Sequence, residues 1–520
     1  MTVPRRAVLV GLAGVPLAAT ASGRQEPFGR EAAVGRPQAE PGAPFDLAWL
    51  QRHGRNQIDT LSAVEPLGTG GYAFVGHTVH AISEDIWIVR VTEDGRSEWS
   101  TAVLRSATAR VFDAVEDLSG DLIGGGWYRT DGTESDVLMM RITGEGDLAA
   151  HETYDVGHRG AASRVVPVRP GNYALLGYVQ AEDDGDVAAL SLVARPDGSP
   201  VARTVHALDA AGTSFAGGAR AADGGCLAVG HHRPGPDGDQ EALVVALDPR
   251  GRRRWWRTLD GPADAWAEAV VSHPEGGYVI GGNAADDGPW LVALDEAGER
   301  RWRTSVGDAD VRLRTMSVVG DVVLVGGLDP ADSATAWVAA VGPSGDLRWS
   351  HTYGPEWLSS VVSMATTPDD GVVAAGNTLL GRNGQDGFLA KLLPPARDPV
   401  PDVSVTPWSP DPGEQVLLDG SGSTAPDGEI ARYEWDLTGD GATDATGRFV
   451  EHRFDESGDH AVTLRVVDDH GRTGTTTLTV TVGTPTPDGT GIDVPGFGLG
   501  TAAAGLAGGM LVRLLRRRRQ

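Results

Sequence analysis

A glycine closing an apolar run recurs through most of this 520-residue chain at a nearly constant interval. Aligned on that glycine, the units fall at Gly76, Gly125, Gly177, Gly230, Gly282, Gly326 and Gly376, spaced by 49, 52, 53, 52, 44 and 50 residues. A repeat of this length is one supersecondary unit that cannot bury its apolar face alone, so the units must stack on one another. Residues 265–307 show one unit whole: an apolar-rich run, a Gly-Gly turn, a second run, an acidic loop, a third run and a Gly-to-Trp segment. Four short strands joined by tight turns account for it.

Seven such units between Phe45 and Leu393 predict an all-β, seven-bladed β-propeller over 45–393. In the first unit the strands are 61–64, 72–75, 86–91 and 98–101. The unbroken apolar second strand fits burial on both faces between neighbouring blades. Trp99, Trp255 or Trp256, Trp302 and Trp349 recur in the fourth segment, where so large an apolar surface reads as packing rather than a ligand cage. The seventh unit stops after Phe388–Leu392 with no such tryptophan. The missing piece stands near the N-terminus, where Asp46-Leu47-Ala48-Trp49 followed by Gly54 matches Asp346-Leu347-Arg348-Trp349 followed by Gly354. The N-terminal strand is therefore expected to complete the last blade, and closure would remove free sheet edges.

The formal charge is −27, carried by many Asp and Glu against basic residues that are all Arg except Lys391. Such a surface repels phosphate backbones, so no nucleic-acid partner is expected. Extreme acidity with almost no lysine resembles proteins of halophilic archaea, in which salt screens self-repulsion. A single cysteine, Cys226, excludes an intrachain disulfide and reads as an inert core residue.

Outside the repeats the chain reads as export and attachment. Residues 1–21 hold Arg5 and Arg6, an apolar run and the small-residue site Ala19-Thr20-Ala21, the pattern of a secretory leader. The arginine pair resembles a twin-arginine (Tat) signal, with an ordinary Sec leader as the alternative. Residues 22–44 are too poor in apolar content to fold and are expected to be a disordered spacer. A Pro-rich linker, 394–399, precedes a module at 400–483 with Asp419-Gly420-Ser421-Gly422-Ser423, Tyr433-Glu434-Trp435-Asp436 and an alternating run from His460 to Asp468. That module resembles the PKD domain, which implies an Ig-like β-sandwich of the kind common on cell surfaces. With no cysteine pair, Trp435 must fill its core unaided. A Pro/Thr stalk, 484–494, leads to Pro495-Gly496-Phe497, an apolar run to Val512 and a cluster of arginines. This tail, 495–520, resembles the archaeal PGF-CTERM sorting signal. The resemblance implies cutting at Pro495-Gly496-Phe497 by an archaeosortase-type enzyme and replacement by a lipid anchor. The alternative is an uncleaved transmembrane helix, although 16 apolar residues reach only about 24 Å against a hydrocarbon core of about 30 Å.

Candidate chemistry is sparse. Asp436, Thr438, Asp440 and Asp444 place oxygens at intervals in a Gly-containing loop that resembles calcium loops, which makes Ca2+ a candidate cofactor and an acidic hairpin the alternative. The acidic loops at 182–186, 237–239 and 286–288 read as turns on an acidic surface. His231 and His232, adjacent on a strand, point to opposite faces and do not suggest a shared metal. The Asp-x-x-Gly-x-x-x-Trp signature at Asp248–Trp255 and Asp295–Trp302 resembles the repeats of quinoprotein dehydrogenases, yet the vicinal disulfide common in that group is impossible here and no PQQ is expected. No hydrolase elbow, metalloprotease helix or phosphate loop is found. The sequence thus points to a non-catalytic surface protein, its ligand a surface glycan or S-layer protein, met by loops around Trp266, Arg312 and Trp357 at one end of the propeller channel. The alternative is an extracellular propeller enzyme, carbohydrate-active or redox, with catalytic groups spread over several blades.

Overall fold

The computed structural model describes residues 32–33 and 45–483, apart from 55–57, 80–83, 105–107, 130–133, 183–184, 209, 237, 331–334, 354–358, 382–383, 395–396, 427 and 470. The leader (Arg5, Arg6, Ala19, Ala21), the sorting motif (Pro495, Gly496, Phe497) and Trp357 lie outside the described residues. All regular elements among them are β-strands, and none is a helix able to cross a membrane. The chain divides into two compact units, Met1–Pro395 and Ala396–Gln520.

The first unit holds seven antiparallel sheets of four main strands, of which the first and second, and the third and fourth, are joined into continuous eight-stranded sheets by single parallel bridges. Six follow the chain directly, as in the fifth: Ala265–Ser272, Tyr278–Ala284, Gly288–Leu294 and Arg300–Ser305. The seventh takes Ser360–Thr366, Val372–Gly381 and Gly384–Leu393 from one place and Asp46–His53 from another, and the two-residue strand Ala32–Ala33, within the stretch expected as a disordered spacer, pairs with Asp46–His53 as a fifth. There Trp49 registers with Lys391 and Arg52 with Phe388, as the matching Asp46–Trp49 and Asp346–Trp349 runs lead one to expect.

Seven apolar clusters hold the sheets together, each shared by two consecutive sheets. Alternate residues of one strand serve opposite neighbours: Cys226 and Ala228 join the cluster shared with the third sheet, Leu227 and Val229 the one shared with the fifth. This two-sided burial is why the second strands are apolar without alternation. The last cluster unites Leu61, Phe74 and Trp87 of the first sheet with Val373, Ala375 and Leu389 of the seventh, so the series returns to its start. Burial pushes the Cys226 thiol up to about 12, in keeping with an inert core residue.

Every first strand carries a β-bulge at the same place, and the repeat glycine stands opposite it. Leu61 pairs with Gly76 and Ala63 with Val75, leaving Ser62 as the extra residue. A Cβ on Gly76 would lie 2.0 Å from the Thr60 carbonyl oxygen, so only glycine fits. This geometry corrects the sequence alignment in two units. The residues opposite the bulge in the second and sixth sheets are Gly126 and Gly327, not Gly125 and Gly326, with Cβ-to-carbonyl approaches of 1.8 and 2.0 Å. Both sites have consecutive glycines, and the recurrence alone cannot choose between them.

The fourth-strand tryptophans clasp neighbouring sheets at the rim. Trp49 lies over Gly95, Trp99 over Gly146, Trp255 over Gly298 and Trp302 over Gly345, each glycine being the positive-φ residue of the next sheet's last turn. Trp49, Trp99 and Trp302 also donate Nε1–H to a carbonyl of that turn, at 3.0, 3.1 and 2.7 Å. One residue type thus supplies apolar area and satisfies its own donor.

The second unit is a β-sandwich. Ser404–Thr406, Gln415–Asp419 and Phe449–Arg453 form one sheet; Ala445–Thr446, Ile430–Asp436, Gly458–Asp468 and Thr473–Val482 form the other. Trp435 is fully buried in its core and donates Nε1–H to the Gly447 carbonyl at 2.8 Å, filling the place as expected without a disulfide.

Candidate functional site

In each sheet of the first unit the first strand begins where the second ends: Ile58 registers with Val79, Thr108 with Arg129 and Arg312 with Leu328. Neighbouring sheets bridge there through Glu84–Thr108, Ser135–Arg159 and Val187–Gly212. One residue beyond each repeat glycine, this end carries His77, Trp127, Tyr178, His231, Asn283, Leu328 and Asn377, of which His77, Asn283 and Asn377 are buried.

A charged cluster is built between the first two sheets. Arg110, on a first strand, meets Glu84 as a fork, Nε to Oε2 at 2.5 Å and Nη2 to Oε1 at 2.8 Å. Burial works to raise the Glu84 carboxyl, and the Arg110 fork outweighs it, leaving the group below its ordinary value. Two guanidinium carbons lie near the Trp127 ring centre, that of Arg129 at 4.9 Å and that of Arg110 at 6.0 Å. His77 is buried beside them with no partner for Nδ1. Burial first, then the Arg110 charge, lowers it to about 4, so it is neutral at pH 7.

Trp266 and Arg312 occupy equivalent positions, one residue before the bulge pair of the fifth and sixth sheets. Trp266 donates Nε1–H to Glu268 Oε2 at 3.0 Å, and Glu268 stands 3.6 Å from Arg314. Burial raises the Glu268 carboxyl against the pull of Arg314 and Trp266. The Arg312 guanidinium donates to the carbonyls of Ala309, Val311 and Ala285, at 2.6, 2.9 and 3.4 Å, and so ties loops together. On the first strands Asp113 pairs with Arg164 at 3.4 Å and accepts Val165 N–H at 2.8 Å. His231 bonds Ser214 Oγ through Nδ1 at 3.0 Å, whereas His232 packs 5.5 Å from Trp256. The adjacent pair is thus divided between two surroundings.

In the sandwich, Asp436, Thr438, Asp440 and Asp444 share one hairpin loop. Asp436 Oδ1 accepts Gly439 N–H at 2.7 Å and its Oδ2 accepts Gly441 N–H at 2.8 Å. Asp444 Oδ2 accepts the amides of Leu437 and Thr438 and lies 3.2 Å from Thr438 Oγ1; Asp440 Oδ1 accepts Ala442 N–H at 2.8 Å. The carboxylates cap the loop's own donors. Among the described residues no three His, Cys, Asp or Glu side chains gather closely enough to surround a metal ion.

Sequence reasoning missed Arg110, Arg129, Glu84 and Trp127. The signal was present: once Gly126 replaces Gly125 in the alignment, Trp127 falls into the column of His77, Tyr178 and His231 at the presented end.

Residues 396–482 match the PKD domain family. No curated protein matches the chain. Among solved structures it is similar to the PKD1 domain of Vibrio anguillarum Epp, at 29% identity over 17% of this chain and 99% of that one, TM-score 0.15. It is similar to a structure described for the promiscuous specificity of carbohydrate-binding modules of the β-sandwich superfamily, at 30% identity over 18% of this chain and 38% of that one, TM-score 0.17. It is also similar to the extracellular domain of a hybrid two-component system of B. thetaiotaomicron, at 10% identity over 82% of this chain and 56% of that one, TM-score 0.38. The chain therefore carries a PKD domain at 396–482 behind a unit whose regular elements, among the described residues, are all β-strands.

Proposed function

We propose that the seven sheets are the blades of a closed seven-bladed β-propeller, and that the protein is a non-catalytic cell-surface binding protein displaying one propeller end on a PKD spacer. The propeller reading is supported by the seven shared clusters and the borrowed strand Asp46–His53. The binding reading rests on one observation: the Arg110–Glu84 pair, Trp127 and Arg129 are fixed on strands at the loop end. Preorganised polar and aromatic groups at a strand-built rim suit recognition, because little freedom is lost on binding. Glu268 with Arg314 and Asp113 with Arg164 are charged pairs that support the same reading. Screening the exported chain against surface saccharides and S-layer protein tests it. The expected result is a bound ligand whose affinity falls at least tenfold in Trp266→Ala or Trp127→Ala; binding untouched by either change would defeat it.

The export reading goes with this function. A PKD domain is typical of extracellular proteins, which supports a protein carried out by a leader with Arg5, Arg6, Ala19 and Ala21. In this reading an archaeosortase-type enzyme cuts at Pro495-Gly496-Phe497 and a lipid takes the place of the tail. The intact mass of the mature protein decides it, since a polypeptide retaining residues 497–520 would contradict the exchange. Calcium at Asp436, Thr438, Asp440 and Asp444 is part of the proposal, supported by the alternate oxygens and by Gly439 and Gly441 at φ +73° and +84°.

A further inference from the structure

Arg129 ends the strand Leu122–Arg129 and registers with Thr108, which bridges to Glu84 of the first sheet. Its guanidinium is braced on the Trp127 ring, while its Nε is buried and has no hydrogen-bond partner. Among the described residues no carboxylate forms an ion pair with it. Glu84, whose carboxylate feels the Arg129 charge, gives both oxygens to Arg110. His77, buried at the equivalent position of the first sheet, is neutral and brings no negative charge. Among the described residues, the guanidiniums of Arg110 and Arg129 thus share the Trp127 ring beside the single Glu84 carboxylate, in a chain whose overall charge is −27.

A buried N–H without an acceptor is costly, and a guanidinium whose neighbouring carboxylate is already forked to another arginine is compensated only in part. Bracing on an indole face fixes the plane of the fork and leaves its donors for an oxyanion. The surroundings narrow the ligand. Tyr128 and Tyr178 are half-buried nearby, and the Tyr178 phenol is close enough to feel the charges of Arg129 and Arg159. Flat apolar rings with polar edges match the C–H faces and hydroxyl rims of sugars. An acidic peptide would look for an open strand edge, but Leu122–Arg129 is paired on both sides, by Thr108–Glu116 and Asp136–Ile142.

Resting on the loop end as the binding face, we propose that Arg129, held over the Trp127 ring beside the Arg110–Glu84 pair, receives the carboxylate or sulfate group of an acidic saccharide. Titration calorimetry on the full chain tests this with four probes at one salt concentration: a glucuronate oligomer, a sulfated neutral oligomer, the same oligomer unsulfated, and a glutamate-rich peptide. One or both acidic saccharides should bind at least tenfold more tightly than the unsulfated one, and which of them binds separates uronate from sulfate ester. Arg129→Gln should weaken that binding at least tenfold with a melting temperature no lower than that of the wild type. Arg129→Lys, which keeps the charge and loses the fork, should fall between. Equal affinity in Arg129→Lys and wild type, or equal binding of the peptide, would overturn the assignment. Saccharide binding indifferent to Arg129→Gln but lost in Trp266→Ala would overturn it while leaving the binding face intact; no saccharide binding of any kind would remove both.

Discussion

Asn377 Oδ1 accepts a 2.9 Å hydrogen bond from the backbone N–H of Leu61, 316 residues earlier in the chain. Its amide reaches back to the Leu61 carbonyl at 3.4 Å. Asn283 makes the same double contact with Leu313, at 2.8 and 3.0 Å, between the fifth and sixth sheets. Ser363 accepts Val64 N–H across the same closing interface at 3.2 Å, as Thr315 accepts Met364 N–H one interface before at 3.1 Å. The contact between last and first sheets thus uses the same bonds as contacts between sheets adjacent in sequence.

Truncating Asn377 to Ala leaves a buried N–H of the first strand without its acceptor. The expected loss is about 1–3 kcal/mol in urea unfolding, and Asn283→Ala should lose a similar amount. A loss confined to Asn283→Ala would show that the seventh sheet does not hold the first.

The bulge geometry separates two neighbouring glycines. A methyl on Gly126 would meet the Arg110 carbonyl oxygen at 1.8 Å, whereas one on Gly125 meets the movable Val165 Cγ2 at 2.6 Å. Gly126→Ala should cost roughly 3 kcal/mol or more and Gly125→Ala clearly less, by thermal or urea melting. The reverse order would restore the sequence alignment.

Stability should peak near pH 6.5. Burial lowers His53, His77 and His206 from 6.5 to about 4, so the unfolded chain takes up their protons first. Their contribution is complete above pH 6.5 and is lost as pH falls through 4. Glu65 acts oppositely: burial, with Asp113 and Glu116 adding to it, raises its carboxyl from 4.5 to about 8. Its contribution is complete below pH 4.5 and is lost as pH rises through 8. Urea midpoints at pH 5, 6.5 and 8 should be highest in the middle, and Glu65→Gln should flatten the alkaline side alone.

Calcium should raise the melting temperature of the sandwich unit in the wild-type chain, with the response abolished in Asp440→Ala. Differential scanning calorimetry with calcium and with chelator reads it, and an equal response in both proteins would place the ion elsewhere.

Much of the first unit was legible in the sequence because its signals are periodic or paired by likeness. The strand order, the rim tryptophans and the link from Asp46–Trp49 to the seventh unit all came from recurrence. What recurrence could not supply was register: Gly125-Gly126 and Gly326-Gly327 look alike until a bulge selects one. The bonds of Asn377 and Ser363 join residues about 300 apart through a polar atom and a backbone amide, a contact with no sequence signature. Arg129 was invisible for a related reason. Its meaning lies in what stands beside it, an indole and a carboxylate already taken, and not in any motif.

Closure by the N-terminal strand is tested most directly with cysteines at Asp46 and Leu393, which stand in register across the antiparallel pair. Cross-strand Cα separations of about 4.5–5.5 Å lie within disulfide reach, and the native Cys226 is buried and unavailable. Mild oxidation of Asp46→Cys/Leu393→Cys should give an intramolecular disulfide in nearly all molecules, seen as a loss of free thiol and faster non-reducing migration. Thiols that stay reduced, or that link only different molecules, would contradict a seventh sheet completed by residues 46–53.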